Sequence, residues 1–152
     1  MKKVVYFIAI VTFVLSFPAL ADCHETISDE DYREAVQWYT ESAEQGDKYA
    51  QYSLGLMYQK GEGVSQDYKE AVRWYAKSAG QGFCIAQYNL GVMYDNGQGV
   101  PQDSIQAYKW YCLSAAQGEQ NAIKSRNRLT EKMTPSQIEQ AKKLVSQWKP
   151  KE

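Results

Sequence analysis

The segment "AQYNLGVMYDNGQGVPQD", Ala86 to Asp103, restates "AQYSLGLMYQKGEGVSQD", Ala50 to Asp67, with few changes. Asp31, Asp67 and Asp103 stand 36 residues apart, and the blocks that begin at Asp31 and Asp67 agree at 22 of 36 positions. A fixed period between about 20 and 50 residues marks a stack of structural units, each too small to hide its own apolar side. A near-copy placed beside each unit buries both faces with the same residue types.

Each block holds two helical patterns. In "DYREAVQWYTESAEQG", Tyr32, Ala35, Val36, Tyr39 and Ala43 recur at the spacing of a single helix face. Asp31-x-x-Glu34, Asp67-x-x-Glu70 and Asp103-x-x-Gln106 read as helix starts, with a capping aspartate and a partner three residues on. Gln45-Gly46, Gln81-Gly82 and Gln117-Gly118 read as exits, where glycine takes the left-handed conformation. In the second pattern Ala50, Leu54, Met57 and Tyr58 share a face, repeated as Ala86, Leu90, Met93 and Tyr94. Gly55 and Gly91 lie inside these helices at a cost of about 1 kcal/mol relative to alanine. Accepting it twice at one position predicts a helix–helix approach too close for a β-carbon. "GEGV" and "GQGV" then turn the chain, and Pro101 pre-sets its exit.

The strings from Ala50 to Gly82 and from Ala86 to Gly118 resemble the Sel-one-like repeat (SLR) family, relatives of the tetratricopeptide repeats. The resemblance rests on A-x-x-x-L-G-x-x-Y, the G-x-G-V-x-x-D loop, the Trp-Tyr pair and the closing Gln-Gly. It implies an all-α, right-handed α-solenoid of stacked antiparallel helix pairs with a C-terminal capping helix. The divisions are a half-repeat at 31–46, repeats at 47–82 and 83–118, and a cap at 119–148, after a flexible N-terminus at 22–30. "NAIKSRNRLTEKM" keeps Ala122 but puts Arg126 and Asn127 where the leucine–glycine pair stood, so it reads as the start of the cap. Thr134-Pro135-Ser136-Gln137 restarts a helix, with Ile138, Ala141, Leu144, Val145 and Trp148 as its apolar face.

The N-terminal run carries "MKK", an uncharged stretch from Val4, and "PALA" before Asp22. This pattern is that of a secretory signal cut after Ala21, which places the mature protein in the periplasm or outside the cell. Asp22 stands where a lipoprotein signal wants a small residue, so lipid modification of Cys23 is rejected. Without Lys2 and Lys3 the mature chain carries 15 basic and 18 acidic side chains. Asp22 to Gln120 holds 7 basic and 15 acidic residues, and Asn121 to Glu152 holds 8 and 3. An acidic body argues against nucleic acid as the main partner. No membrane insertion is expected once the signal is removed.

Chemistry is sparse. His24, the one histidine, sits near the mature terminus beside Cys23 and reads as part of a mobile end. Ser146-x-x-Lys149 has to be weighed because some relatives are linked to β-lactam chemistry. It lacks the companion motifs of such enzymes and reads as a helix end. The pairs Trp38-Tyr39, Trp74-Tyr75 and Trp110-Tyr111 read as packing between repeats. Cysteine-rich relatives bridge the second hairpin at positions held here by Gln87 and Ala115. Cys84 and Cys112 lie one turn earlier in each helix, and in antiparallel helices that is a mismatch of about 9 Å. A Cys84–Cys112 bridge stays open as the lesser expectation.

A non-enzymatic scaffold that holds another protein and needs no cofactor or metal is therefore the expected function. In tetratricopeptide relatives the leading-helix face lines the concave groove. The corresponding candidates here are Tyr52, Leu56, Gln59, Tyr88, Val92 and Asp95. Packing of Leu56 and Val92 on neighbouring helices is the competing reading. Family roles include envelope regulators, host-contact factors and small inhibitors of delivered toxins. An envelope hydrolase is the remaining alternative.

Overall fold

The structure is a computed structural model that describes residues 28–151. The expected signal segment, Cys23 and His24 lie outside the described residues. Seven helices follow one another, with no strand among the described residues. They are α1 (Asp29–Glu44), α2 (Lys48–Lys60), α3 (Tyr68–Gly80), α4 (Cys84–Asn96), α5 (Ser104–Ala115), α6 (Gln120–Thr130) and α7 (Pro135–Gln147). Each of α1 to α5 packs on the next, and α7 packs on α5. This is an all-α solenoid.

The second helices start as the aspartates predict. Asp67 accepts from the amides of Lys69 and Glu70, and Asp103 from those of Ile105 and Gln106. Neither start closes a reciprocal box; Glu70 turns instead to Arg73 at 3.0 Å. At α1 the expected cap moves. Ser28 is the N-cap and Asp31 is its box partner, accepting from the Ser28 amide at 2.8 Å and from its hydroxyl at 2.6 Å. Serine and aspartate compete for one set of free amides, and the earlier residue gains an extra turn of helix. Thr134 caps α7 as expected, with Pro135 and Gln137 in their places.

The two interior glycines mark close approaches. A β-carbon on Gly55 would lie 2.7 Å from Cδ1 of Tyr75, and one on Gly91 would lie 2.7 Å from Cδ1 of Tyr111. Helix α2 thus presses its glycine on a ring of α3, and α4 does the same to α5. The second loop glycine has a backbone reason too. Gly99 (φ 72°) lies against the Tyr68 carbonyl at the start of α3, where any side chain would collide.

Buried amides and hydroxyls pin the layers at repeated positions. Gln51 donates to the Ala43 carbonyl at 3.1 Å and accepts from Gln81 at 2.8 Å. Thirty-six residues on, Gln87 donates to Ala79 at 3.2 Å and accepts from Gln117 at 2.9 Å. Ser78 donates to the Lys48 carbonyl and Ser114 to that of Cys84, each at 2.7 Å. Gln81 and Gln117, the glutamines before the second and third exit glycines, therefore clasp the neighbouring helix, satisfying amides that would be costly to bury unpaired.

Packing between repeats holds for Trp74-Tyr75 and Trp110-Tyr111. Trp74 is 3% exposed, in a cluster with Ala43, Ala50 and Leu54, and Trp110 is 9% exposed, in a cluster with Ala71, Val72 and Leu90. Each tryptophan packs back on the preceding layer, under a lysine: Lys77 at 4.1 Å and Lys109 at 4.0 Å from the ring centroids. The first pair departs from the expectation, because Trp38 is 63% exposed. Among the described residues no layer precedes α1, so the ring has nothing to pack back on.

The far end is closed by a strap. Val145 and Trp148 pack on the cluster that holds Trp110 and Leu113, Trp148 reaches Gly82, and the Lys151 amide donates to the Gly80 carbonyl at 2.8 Å. The last helix thus turns back along the second helices instead of extending the stack.

Candidate partner-binding face

Repeat equivalence puts α2, α4 and α6 in corresponding positions, and their shared face carries the expected candidates. All six of those side chains are partly exposed. Tyr52 lies against the Tyr75 ring, with centroids 5.8 Å apart, and edge-on to Phe83 at 5.3 Å. Tyr88 lies against Tyr111 at 5.9 Å with nearly the same tilt. Both rings are therefore held by aromatic neighbours while part of each stays exposed, which suits contact with a ligand at small entropic cost.

The polar pair is less free than the sequence suggests. The Tyr75 hydroxyl donates to Gln59 at 2.6 Å, and that of Tyr111 donates to Asp95 at 3.2 Å. Asn89 also lies beside the Tyr75 hydroxyl. Arg128 of α6 donates to the same Asp95 oxygen at 3.3 Å. Burial drives both phenols far above the ordinary tyrosine range, and the Asp95 carboxylate adds to the effect at Tyr111. Both hydroxyls thus stay protonated donors that tie α3 to α2 and α5 to α4. Tyr75 and Tyr111, which the sequence assigned to packing, lie buried beneath this face, and Asn89 and Arg128, which the sequence did not single out, join them. The available signal was the interval of 16 residues from Gln59 to Tyr75, repeated from Asp95 to Tyr111.

Val92 packs against the cluster around Tyr108 and Leu129, in line with the competing packing reading for that residue. Leu56 is partly exposed on the same face. Upstream on the same helices, Tyr49 and Ile85 are exposed at equivalent positions, and Tyr49 meets Phe83 edge-on at 5.1 Å. The apolar strip is therefore longer than the six candidates.

Elsewhere the side chains assemble little chemistry. The Ser146 hydroxyl donates to the Lys143 carbonyl at 2.8 Å, beside a shallow open depression on α7 lined by Glu139, Gln140, Lys142 and Lys143. Cys84 and Cys112 are both free thiols, and the α5 residue that meets Cys84 is Ser114. Burial raises the Cys112 thiol above its ordinary value, partly offset by Tyr108 and Arg126 beside it. Among the described residues no cluster of His, Cys, Asp and Glu could hold a metal ion.

Comparison with known proteins agrees with this architecture. The Sel1 repeat family matches residues 20–47, 48–83 and 84–119. A protective antigen present in uropathogenic Escherichia coli strains, whose crystal structure displays an SLR fold, is 35% identical with a TM-score of 0.77. That match covers 80% of this chain and 26% of the antigen. A Sel1 repeat protein from Oxalobacter formigenes is 38% identical over 62% of this chain and 39% of its own, with a TM-score of 0.60. The chain thus spans well under half the length of either structure. No curated protein matches it. The chain belongs to the Sel1 repeat family, whose repeats build scaffolds for protein–protein interaction.

Proposed function

We propose that this Sel1-repeat protein is an exported, periplasmic or secreted scaffold that holds another protein on the face shared by α2, α4 and α6. The observation that carries the reading is the pair Tyr52 and Tyr88. Each ring is backed by a buried tyrosine, stays partly exposed, and is repeated one layer on. Exposed aromatic rings held rigidly are the usual anchors of protein interfaces. The reading is non-catalytic and needs no cofactor. The hydroxyl of Ser146, the one serine set in a hydrolase-like pattern, donates its hydrogen bond to the Lys143 backbone carbonyl.

Export is inferred from the N-terminal segment, and N-terminal sequencing of the protein recovered from the envelope should begin at Asp22. The partner-binding role is tested by affinity capture from envelope extract with wild type and with Tyr52→Ala/Tyr88→Ala. Loss of the captured protein in the variant, with helical content intact, supports the reading; unchanged capture removes the face from consideration. A partner that is itself a toxin would make the protein an immunity-type inhibitor, a narrower case of the same role. Hydrolysis of a β-lactam by the purified protein, abolished by Ser146→Ala, would replace the scaffold with an enzyme.

A further inference from the structure

The period of 36 residues places Lys124 where Tyr52 and Tyr88 stand, and Arg128 where Leu56 and Val92 stand. The same two positions thus change from aromatic and aliphatic in the first two layers to cationic in the third. Helix α2 carries Lys48 and Lys60 and no acid, α4 carries only Asp95, and α6 carries Lys124, Arg126 and Arg128 and no acid. The single carboxylate is already engaged, since it accepts from Tyr111 and from Arg128. Asp95 is 17% exposed while Arg128 remains 63% exposed, so the rest of the guanidinium faces solvent. Lys124 is exposed and has no ion-pair partner among the described residues. All this occurs on a chain that is net acidic from Asp22 to Gln120.

We infer that the partner presents an extended peptide segment with apolar side chains over Tyr52 and Tyr88 and acidic side chains at Lys124 and Arg128. The inference rests on the partner-binding reading above and names the partner's chemistry. Successive layers lie about 10 Å apart, and an extended chain advances about 3.3 Å per residue. One side chain in three therefore meets a new layer, and a segment of about seven or eight residues crosses all three. A guanidinium with free donors recognises a carboxylate by direction as well as by charge. A lipid surface is the less suitable anion source. The adjacent exposed lysines Lys142 and Lys143, the pair of cations a flat membrane would favour, lie on α7, which packs on α5 and not on this face.

The probes are two fluorescein-labelled octapeptides, Leu-Ser-Ser-Leu-Ser-Ser-Glu-Glu and its reversed sequence, each with a control in which glutamine replaces glutamate. Fluorescence anisotropy with the full chain should show one glutamate peptide binding at least fivefold tighter than its control, an advantage that shrinks as salt rises. Lys124→Glu, an exposed position, should erase that preference, and Arg128→Gln should reduce it, each with circular dichroism matching wild type. Lys142→Gln/Lys143→Gln should leave it unchanged. Equal binding of glutamate and glutamine peptides, or no binding of either, overturns the inference, as does a preference lost only in the α7 variant. Sedimentation with phosphatidylserine vesicles that depends on Lys124, without a peptide preference, would assign the cations to lipid instead. If the preference is absent while capture still depends on Tyr52 and Tyr88, this inference fails and the scaffold reading stands.

Discussion

Replacing Gly91 by alanine separates helix propensity from packing, because the two predict opposite signs. In an exposed helix interior the change stabilises by about 1 kcal/mol. Here the added β-carbon would stand 2.7 Å from Cδ1 and 2.8 Å from Cε1 of Tyr111, and 3.4 Å from the Ala107 carbonyl. The ring cannot simply withdraw. Tyr111 is 1% exposed, Tyr88 backs it at 5.9 Å, and its hydroxyl is bonded to Asp95. Overpacking a buried site costs about 1–3 kcal/mol, and displacing the ring loses a hydrogen bond of about 1 kcal/mol. After the propensity gain is offset, a net loss of about 1–3 kcal/mol remains. For a domain of this size that lowers the melting midpoint by about 4–10 °C. Thermal and urea unfolding followed by far-UV circular dichroism would measure it. The same substitution in a Tyr111→Leu background should cost far less, since the obstructing ring is gone. A higher midpoint for Gly91→Ala in the wild-type background would refute the claim that the two helices meet ring to backbone.

The exposed Trp38 should account for most acrylamide quenching of tryptophan fluorescence, and Trp38→Phe should leave an emission that is blue-shifted and protected. Burial favours the neutral form of Tyr75 and Tyr111 in the fold, so their contribution is complete below the unfolded tyrosine pKa of about 10 and declines as pH rises past it. The melting temperature should accordingly fall above about pH 10, and Tyr75→Phe/Tyr111→Phe should flatten that fall. Trp148→Ala should strip the strap from Gly82 and destabilise the protein by about 2–4 kcal/mol, read as a lower urea midpoint. Burial makes the Cys112 thiol a poor thiolate, so its alkylation near neutral pH should be slow and should accelerate in urea.

Much of this architecture is legible in the residues because the chain contains its own comparison. Two copies at a fixed interval expose the helix faces, and the repeated glycine signals a close approach before any ring is identified as its cause. Where only one copy exists, the sequence says less. The path of α7 back along the second helices, and the hydrogen bond from Lys151 to Gly80, depend on a contact made once. Trp38 shows the converse limit. Its residue type matches Trp74 and Trp110, but burial depends on a neighbouring layer and not on the residue itself. Ser28 outcompetes Asp31 for the α1 cap because both can serve, a choice settled by the local geometry of a single turn.

The candidate face was half legible. Tyr52 and Tyr88 follow from the leading-helix register, and the structure leaves them partly exposed. Gln59 and Asp95 have the right register but are engaged by the phenols of α3 and α5, which a one-dimensional reading assigns to packing alone. The change from ring to cation in the third layer was concealed by the loss of the leucine–glycine pair at Arg126 and Asn127, which made that helix read as a mere cap.

Site-specific photocrosslinking puts the central claim to its most direct test. A benzophenone side chain placed at Leu56, on the shared face, should yield a covalent adduct with the captured partner, and one placed at Gln140, on the outer side of α7, should yield none. Adducts from position 140 with none from position 56 would contradict the assignment of binding to the faces of α2, α4 and α6.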